Sequence, residues 1–344
     1  MKALVKTAPG PGGLELLDLP DPVAGPGQVV MAVRAAALCG TDVHIAHGAI
    51  AVRPPLILGH ELAGVVAALG PGVSGVREGE RITTETDASV CGRCAYCLAG
   101  DQHLCPARTA IGTTVDGGFA ELVAIPAAGV HRLPDNVDFA TGALTEPLAV
   151  AVRAVVERAD VRAGEDVVVV GPGTIGLLAA QVAVARGAAV TVAGLQRHDA
   201  RFRLARQLGV PRTAALDLPA EREAAGRGRD GLGVDTVIES SGAPEMIEAG
   251  LRLLRKGGRL VQVGFAGGRA VPVDLDLVVN RELTLVASRG KRPSCFRIAL
   301  DLVESRRVTP GPLISHRFAL ADWAAAFETA ARPGTKVVLD IVPG

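Results

Sequence analysis

Apolar and polar positions alternate in two different ways along this chain. Up to about residue 145 the apolar stretches are short, at residues 3–6, 14–19, 28–35, 62–69 and 119–125, and they are separated by PGPGG, PDPVAGPG, GPGVSG and DGG. Runs of this length between Gly/Pro clusters predict short strands joined by turns, and together an irregular, partly open β-barrel. At Glu146 the texture changes. EPLAVAVRAVVERA has helical periodicity, and strand-then-helix units follow: strand 166–170, helix 174–186, strand 189–193, helix 200–208, strand 234–238, helix 245–254, strands 259–263 and 283–287. Continuously apolar strands alternating with helices predict a doubly wound parallel sheet, so the fold class is α/β. Beyond residue 288, two helices and a last strand at 336–341 are expected to return to the first region.

Composition narrows the function. A chain of 344 residues suggests two domains, and 49% hydrophobic residues suffice for substantial cores. Lys+Arg and Asp+Glu both number 36, which offers nothing to nucleic acid or an anionic membrane. The most apolar stretch, near 175–185, is too short to span a bilayer and carries Gln181. Aromatic residues, at 3%, are too few for a stacking platform. The N-terminal MKALVKTAPG has no basic-then-apolar signal, and a cytoplasmic location is expected.

Four of the six cysteines lie in CGRCAYCLAGDQHLC, at Cys91, Cys94, Cys97 and Cys105. Thiolates at this spacing converge on one tetrahedral cation, and a four-thiolate shell leaves no open position, so the expected zinc is structural. Two disulfides or free thiols are the alternatives, and nothing suggests the oxidising compartment that disulfides need.

After the strand EDVVVV comes GPGTIG, with Gly171, Gly173 and Gly176 leading through Thr174 and Ile175 into an apolar helix. Between a buried strand and a helix this spacing predicts a dinucleotide cradle. The first glycine allows the tight turn, the second lets backbone approach a pyrophosphate, and the third lets helix and strand pack closely. The helix N-terminus then faces the phosphates. An acid at the end of the second strand usually marks NAD, but the segment here is TVAGLQR. Gln196 and Arg197 stand near the expected acid, and Arg197 suits a 2′-phosphate, so the reading of NAD(P) leans to NADP.

A second metal site draws on three separated segments: Cys39 in LCGTDVHI, His60 and Glu61 in LGHELAG, and Glu146 in LTEPLAV. One thiolate, one imidazole and one carboxylate leave a fourth position open for water or substrate. GHELAGVVAALGPGVSGVREGERI, with Gly59, His60, Glu61, Gly64 and Gly79, resembles the signature of zinc-dependent medium-chain alcohol dehydrogenases. The cysteine loop and GPGTIG follow in that family's order, and the resemblance covers essentially the whole chain. CGTDVHI is similar to the Cys-Gly-Thr-Asp motif of the polyol (sorbitol) and threonine dehydrogenases. EPLAVAV is similar to the polyol branch, which has a glutamate where alcohol dehydrogenases carry a second zinc-binding cysteine.

The resemblance implies a GroES-like β-rich catalytic domain, residues 1–147 and 288–344, and a Rossmann domain, residues 148–287. It implies two zinc ions per chain. Cys39 and His60 are the implied ligands of the catalytic zinc, with Glu61 and Glu146 sharing the remaining place, directly or through water. Thr41 would carry the substrate proton and His44 would pass it to solvent by way of the cofactor ribose. The implied reaction is reversible oxidation of a secondary alcohol (polyol, cyclitol or amino alcohol) to the ketone, with zinc as Lewis acid and hydride passing to the nicotinamide. The implied assembly is a homodimer or homotetramer. Two other classes stay open: a non-catalytic zinc- and dinucleotide-binding sensor or scaffold, against which Cys39, His60 and Thr41 argue, and a zinc-free quinone-type reductase, which lacks both cysteine sets. His47, His103 and His131 have no assigned role, and Cys295 reads as a buried thiol.

Overall fold

A computed structural model describes residues 1–334 and 336–341. The chain forms two compact units, Met1–Glu146 with Arg292–Glu304 and Pro310–Gly344, and Pro147–Lys291 with Ser305–Thr309. Residues 147 and 288–291, expected in the first unit, therefore fall in the second, as does the return 305–309. The local bonds explain this. Ser288 N–H continues the sheet by donating to the Gln262 carbonyl at 2.9 Å, Thr309 N–H donates to Gln181 Oε1 at 2.8 Å, and Arg307 donates to the Ala185 carbonyl.

In the first unit, strand Gln28–Ala37 organises a seven-stranded sheet. It pairs antiparallel with Glu61–Leu69, with Leu122–Pro126 and with Val337–Asp340. Its Val29, Met31 and Val33 face a core completed by Leu62, Phe119, Phe327 and Leu339, the period-2 pattern that a half-buried strand requires. The expected strand at 119–125 begins only at Leu122; Phe119 spends its backbone elsewhere, its N–H donating to the Leu58 carbonyl at 2.9 Å and its carbonyl accepting the Leu4 N–H at 2.8 Å. His131, unassigned in the sequence, hydrogen-bonds Glu85 Oε1 through Nε2 at 2.8 Å and stacks on Phe296.

In the second unit six parallel strands form one sheet. In spatial order they are Arg212–Ala215, Ala189–Gly194, Asp166–Val170, Val234–Glu239, Leu254–Gln262 and Thr284–Ala287. Counted along the chain the order is 3-2-1-4-5-6, and it reverses beside Asp166–Val170, the place where a doubly wound sheet binds dinucleotides. Strand Arg212–Ala215 went unread in the sequence because RTAA is short and begins on an exposed charge. The helix expected over EPLAVAVRAVVERA is α-helical over Thr145–Val152 and continues as a π-helical stretch, Arg153–Arg158. Among the described residues no helix is long and apolar enough to cross a membrane.

Candidate metal and dinucleotide sites

Strand register assembles the first cluster. Ala37 stands opposite Glu61 and Val338 opposite Ala37. Cys39, two residues past the end of Gln28–Ala37, is thereby carried beside His60, one residue before Glu61–Leu69, and beside Lys336, which precedes Val337–Asp340. One donor atom each from Cys39, His60 and Glu61 lie within 4.8 Å of one another. His60 and Glu61 are buried and Cys39 is half-buried. Glu146, buried in the first turn of Thr145–Val152, lies outside that set but acts electrostatically on His60, Glu61 and Lys336.

Two residues here had no role in the sequence reading. Asp42 is fully buried; its Oδ2 accepts the Cys39 N–H at 2.8 Å and its Oδ1 faces His60 Nδ1 at 3.7 Å. Among the described residues neither Asp42 Oδ1 nor His60 Nδ1 has a hydrogen-bond partner. A carboxylate behind the imidazole fixes its tautomer and leaves the other ring nitrogen for a metal. Lys336, also buried, donates to Glu61 Oε2 at 2.5 Å and to the Leu38 carbonyl at 2.9 Å.

The electrostatics favour a cation at the centre. Burial alone would lower the His60 pKa, but Asp42, Cys39 and Glu146 outweigh it and raise it to about 10. Burial raises Glu61 against the opposing pull of Lys336 and with the help of Glu146. Among the described residues His60 and Lys336 are the buried cationic groups set against the carboxylates of Asp42, Glu61 and Glu146 and the Cys39 thiol. A divalent ion would relieve this imbalance, and the donor set of sulfur, nitrogen and oxygen suits zinc.

Thr41 and His44 lie on helix Gly40–Ala46, which follows Cys39. Thr41 is half-buried with Oγ1 3.7 Å from Cys39 Sγ, and His44 is exposed three residues further on, on the same helical face.

The thiol loop is built locally. Cys91, Cys94, Cys97 and Cys105 bring their sulfurs within 4.8 Å of one another, with Cys91 and Cys97 at 3.9 Å and no disulfide among them. Tetrahedral zinc with bonds of about 2.3 Å demands sulfur separations of about 3.8 Å. Backbone N–H groups of Cys94, Cys97 and Cys91 donate to the sulfurs of Cys91, Cys94 and Cys105, respectively. Backbone N–H groups of Arg93 and Cys94 pull the Cys91 thiol down to about 6, while desolvation and the neighbouring thiols push Cys97 up to about 12. Four thiols this close ionise together only around a cation. The short helix Ala95–Leu98 buries none of its residues, so the loop has no apolar core of its own. Its base is tied by a bidentate pair from Arg292 to Asp101, at 2.8 and 2.7 Å.

In the second unit, GPGTIG turns from strand Asp166–Val170 into helix Thr174–Ala185. A Cβ on Gly176 would sit 1.9 Å from the Gly171 carbonyl oxygen, so only glycine lets helix and strand pack there. Gly171 has φ of 96°, where glycine is favoured. Gly173 is exposed, and a Cβ on it would meet nothing within 4 Å. The open space above Gly173, at the start of a helix, fits a pyrophosphate. Thr174 and Ile175 are half-buried, whereas Gln196 and Arg197 are exposed past strand Ala189–Gly194. Across the switch point, buried Glu239, unread in the sequence, accepts from the N–H groups of Ser241 and Gly242 and from Gln262 Nε2, stiffening the loop beyond its strand.

A sulfur–nitrogen–oxygen cluster in a β-rich unit, a four-thiol loop and a 3-2-1-4-5-6 parallel sheet with a glycine cradle describe a metal-dependent dehydrogenase. The chain matches the alcohol dehydrogenase GroES-like domain over residues 25–135 and the zinc-binding dehydrogenase domain over residues 174–305. The chain belongs to the zinc-dependent medium-chain alcohol dehydrogenase family, in its polyol/threonine dehydrogenase branch. It is 36% identical to sorbitol dehydrogenase of Halalkalibacterium halodurans over 343 residues, which is 100% of this chain and 99% of the relative. It is 38% identical to L-threonine 3-dehydrogenase of Streptomyces avermitilis over 349 residues, covering 99% of each chain. A crystal structure from Sinorhizobium meliloti 1021, described as a zinc-binding dehydrogenase bound to NADP, superposes with a TM-score of 0.91 at 34% identity, covering 99% of each chain. The protein is thus a zinc-containing, NAD(P)-dependent oxidoreductase of the GroES-like plus Rossmann architecture.

Proposed function

We propose that the protein reversibly oxidises a secondary alcohol, a polyol, cyclitol or amino alcohol, to its ketone. The observation that carries this reading is the Cys39–His60–Glu61 cluster with Asp42 behind the imidazole. Sorbitol and threonine dehydrogenases among the relatives support the substrate class. When bound, zinc supplies Lewis acidity to the substrate oxygen and the dinucleotide accepts hydride.

The protein's own residues divide the remaining work. Cys39, His60 and Glu61 hold the metal, with Glu146 acting through a water. Asp42 orients His60, and Lys336 occupies one oxygen of Glu61, which leaves Oε1 for the metal. Thr41 Oγ takes the substrate's proton and His44, exposed on the same helical face, delivers it to solvent. The thiol loop holds a second zinc that stabilises the first unit, giving two per chain. Gly171, Gly173, Thr174, Ile175 and Gly176 receive the pyrophosphate. NADP is the favoured cofactor, on the lack of an acid in TVAGLQR and on the NADP carried by the Sinorhizobium meliloti structure. A homo-oligomer is supported by the outermost strand, Thr284–Ala287, whose Leu285 is 44% exposed alongside exposed Leu275 and Val279. We assign the enzyme to the cytoplasm.

The test is metal analysis of protein never exposed to chelator, together with turnover on a panel of polyols, threonine and simple secondary alcohols. About two zinc ions per chain and oxidation of one substrate class are expected. Absence of zinc, or of turnover with every alcohol and both cofactors, overturns the reading.

A further inference from the structure

Lys6 ends strand Lys2–Lys6 and is only 1% exposed. An ammonium carries three donors, and once out of water it must find acceptors within the protein. Among the described residues its partners are main-chain carbonyls rather than carboxylates: those of Gly10, at 2.5 Å, and Gly12. Both belong to the hairpin that leads into strand Leu14–Asp18, closed at its base by the Thr7 N–H on the Gly13 carbonyl at 2.7 Å. Gly10, Gly12 and Gly13 have φ of 78°, 73° and 63°, where glycine is favoured. PGPGG is therefore more than a turn. It folds back around the last side chain of its own strand, and the ammonium holds it in one shape.

This hairpin meets the far end of the helix that carries Thr41 and His44. Gly12 N–H donates at 2.8 Å to the carbonyl of Ala46, the last residue of Gly40–Ala46. A helix of seven residues leaves most of its last carbonyls without helical partners, so the bond secures an end that would otherwise fray. Gly48 lies directly against the hairpin. A Cβ on it would sit 2.8 Å from Pro11 N and 3.0 Å from the Gly10 carbonyl carbon, and its φ is 75°. The chain beyond Gly48 closes back on His44, whose carbonyl accepts the N–H groups of Ala49 at 2.9 Å and Ile50 at 3.3 Å. The start of the helix is fixed by Asp42 on the Cys39 N–H, and its end by the hairpin.

We propose that Lys6 is a positioning residue for the reaction: through the hairpin it fixes the end of Gly40–Ala46 and so holds His44 where it can take the substrate's proton from Thr41. The inference rests on the proton relay proposed above and adds what keeps its outer member in place. Lys6 has no signature in the sequence, because the carbonyls that hold it belong to the main chain.

Steady-state oxidation of the best alcohol by the zinc-loaded enzyme tests this in Lys6→Met, which keeps an unbranched chain and removes the charge. A misplacement of about 1 Å costs up to ~10²-fold in rate, so kcat should fall roughly tenfold to hundredfold while KM and zinc content stay nearly unchanged. The solvent deuterium isotope effect on kcat should rise as proton delivery becomes limiting. Gly48→Ala leaves Lys6 intact and pushes the hairpin away from the helix end. It should show the same split, and it carries the test alone if Lys6→Met does not fold. Combined with His44→Ala, neither loss should add to that of His44→Ala, since all three changes act through one side chain. Losses that add, losses that fall on KM with the isotope effect unmoved, or wild-type turnover by both variants overturn the inference and leave the relay standing. Wild-type turnover by His44→Ala itself overturns the relay and the inference together.

Discussion

The two candidate metal clusters of the first unit are made in opposite ways. The thiol loop takes all its donors from residues 91–105, buries only His103 and Cys105, and has backbone N–H groups on its sulfurs. The other cluster takes its donors from separate stretches, lies in the interior, and needs Asp42, Glu146 and Lys336 around it. A cluster closed by its own loop serves stability. One suspended between strand ends, with three protein donors and a coordination place to spare, serves chemistry.

Exchanging the roles of the two clusters would break this contrast, and Cys39→Ser is the largest test. Turnover should fall by at least ~10³-fold, the several kcal/mol that a Lewis acid contributes. Zinc content should fall by one ion per chain, and the melting temperature should change little. Cys94→Ser should do the reverse, lowering the melting temperature while the remaining active fraction turns over normally. If both variants lose stability equally and activity equally, the contrast is wrong.

Thr41→Val keeps the side chain's shape without the hydroxyl. Steady-state oxidation of the best alcohol should drop by ~10²–10⁴-fold, with zinc and dinucleotide still bound. Near wild-type turnover would remove the relay. His44→Ala should be milder, since water reaches an exposed position.

Lys336→Met leaves Glu61 buried and uncompensated beside Glu146. Breaking a buried pair in this way costs about 3–5 kcal/mol, to be read from urea denaturation of the metal-free protein. The linkage has a definite sign. Burial raises the Glu61 carboxyl, and Lys336 opposes that rise; without Lys336 the pKa moves further up, so the variant's deficit should shrink as pH falls and Glu61 takes up a proton. A deficit that grows on acidification contradicts the pairing.

Asp42→Asn is the mildest of the series. It keeps the bond to the Cys39 N–H region but takes the charge from behind His60, and zinc affinity in competition with a chelator should weaken by about 10- to 100-fold. No change would mean that the 3.7 Å approach of Asp42 to His60 has no bearing on the metal.

What the sequence disclosed follows the same divide. Cys91 to Cys105 and GPGTIG were legible because donors or glycines at fixed short spacing carry their geometry with them. Cys39, His60, Glu61 and Glu146 could be proposed from their residue types in three separated segments, and the resemblance gave them roles, but nothing local says that they meet; the structure brings together Cys39, His60 and Glu61. Lys336 was invisible: it reaches Glu61 across 275 residues of chain, and a lysine before a terminal strand reads as solvated. Asp42 sat in plain view inside CGTDVHI, yet its role depends on His60 facing it from the segment just before strand Glu61–Leu69.

The register that joins Ala37 to both Glu61 and Val338 also sets a timetable. During synthesis the thiol loop has all its donors once residue 105 has emerged, so it can capture zinc while most of the chain is still unmade. The interior cluster has Cys39 and His60 early, but Glu146 follows later and Lys336 comes 275 residues after Glu61. Until then Glu61 has no counter-charge and the strand that seats Leu38 is absent. The donors of the thiol loop thus lie close together in one short stretch, whereas the interior cluster draws on stretches as far apart as Glu61 and Lys336.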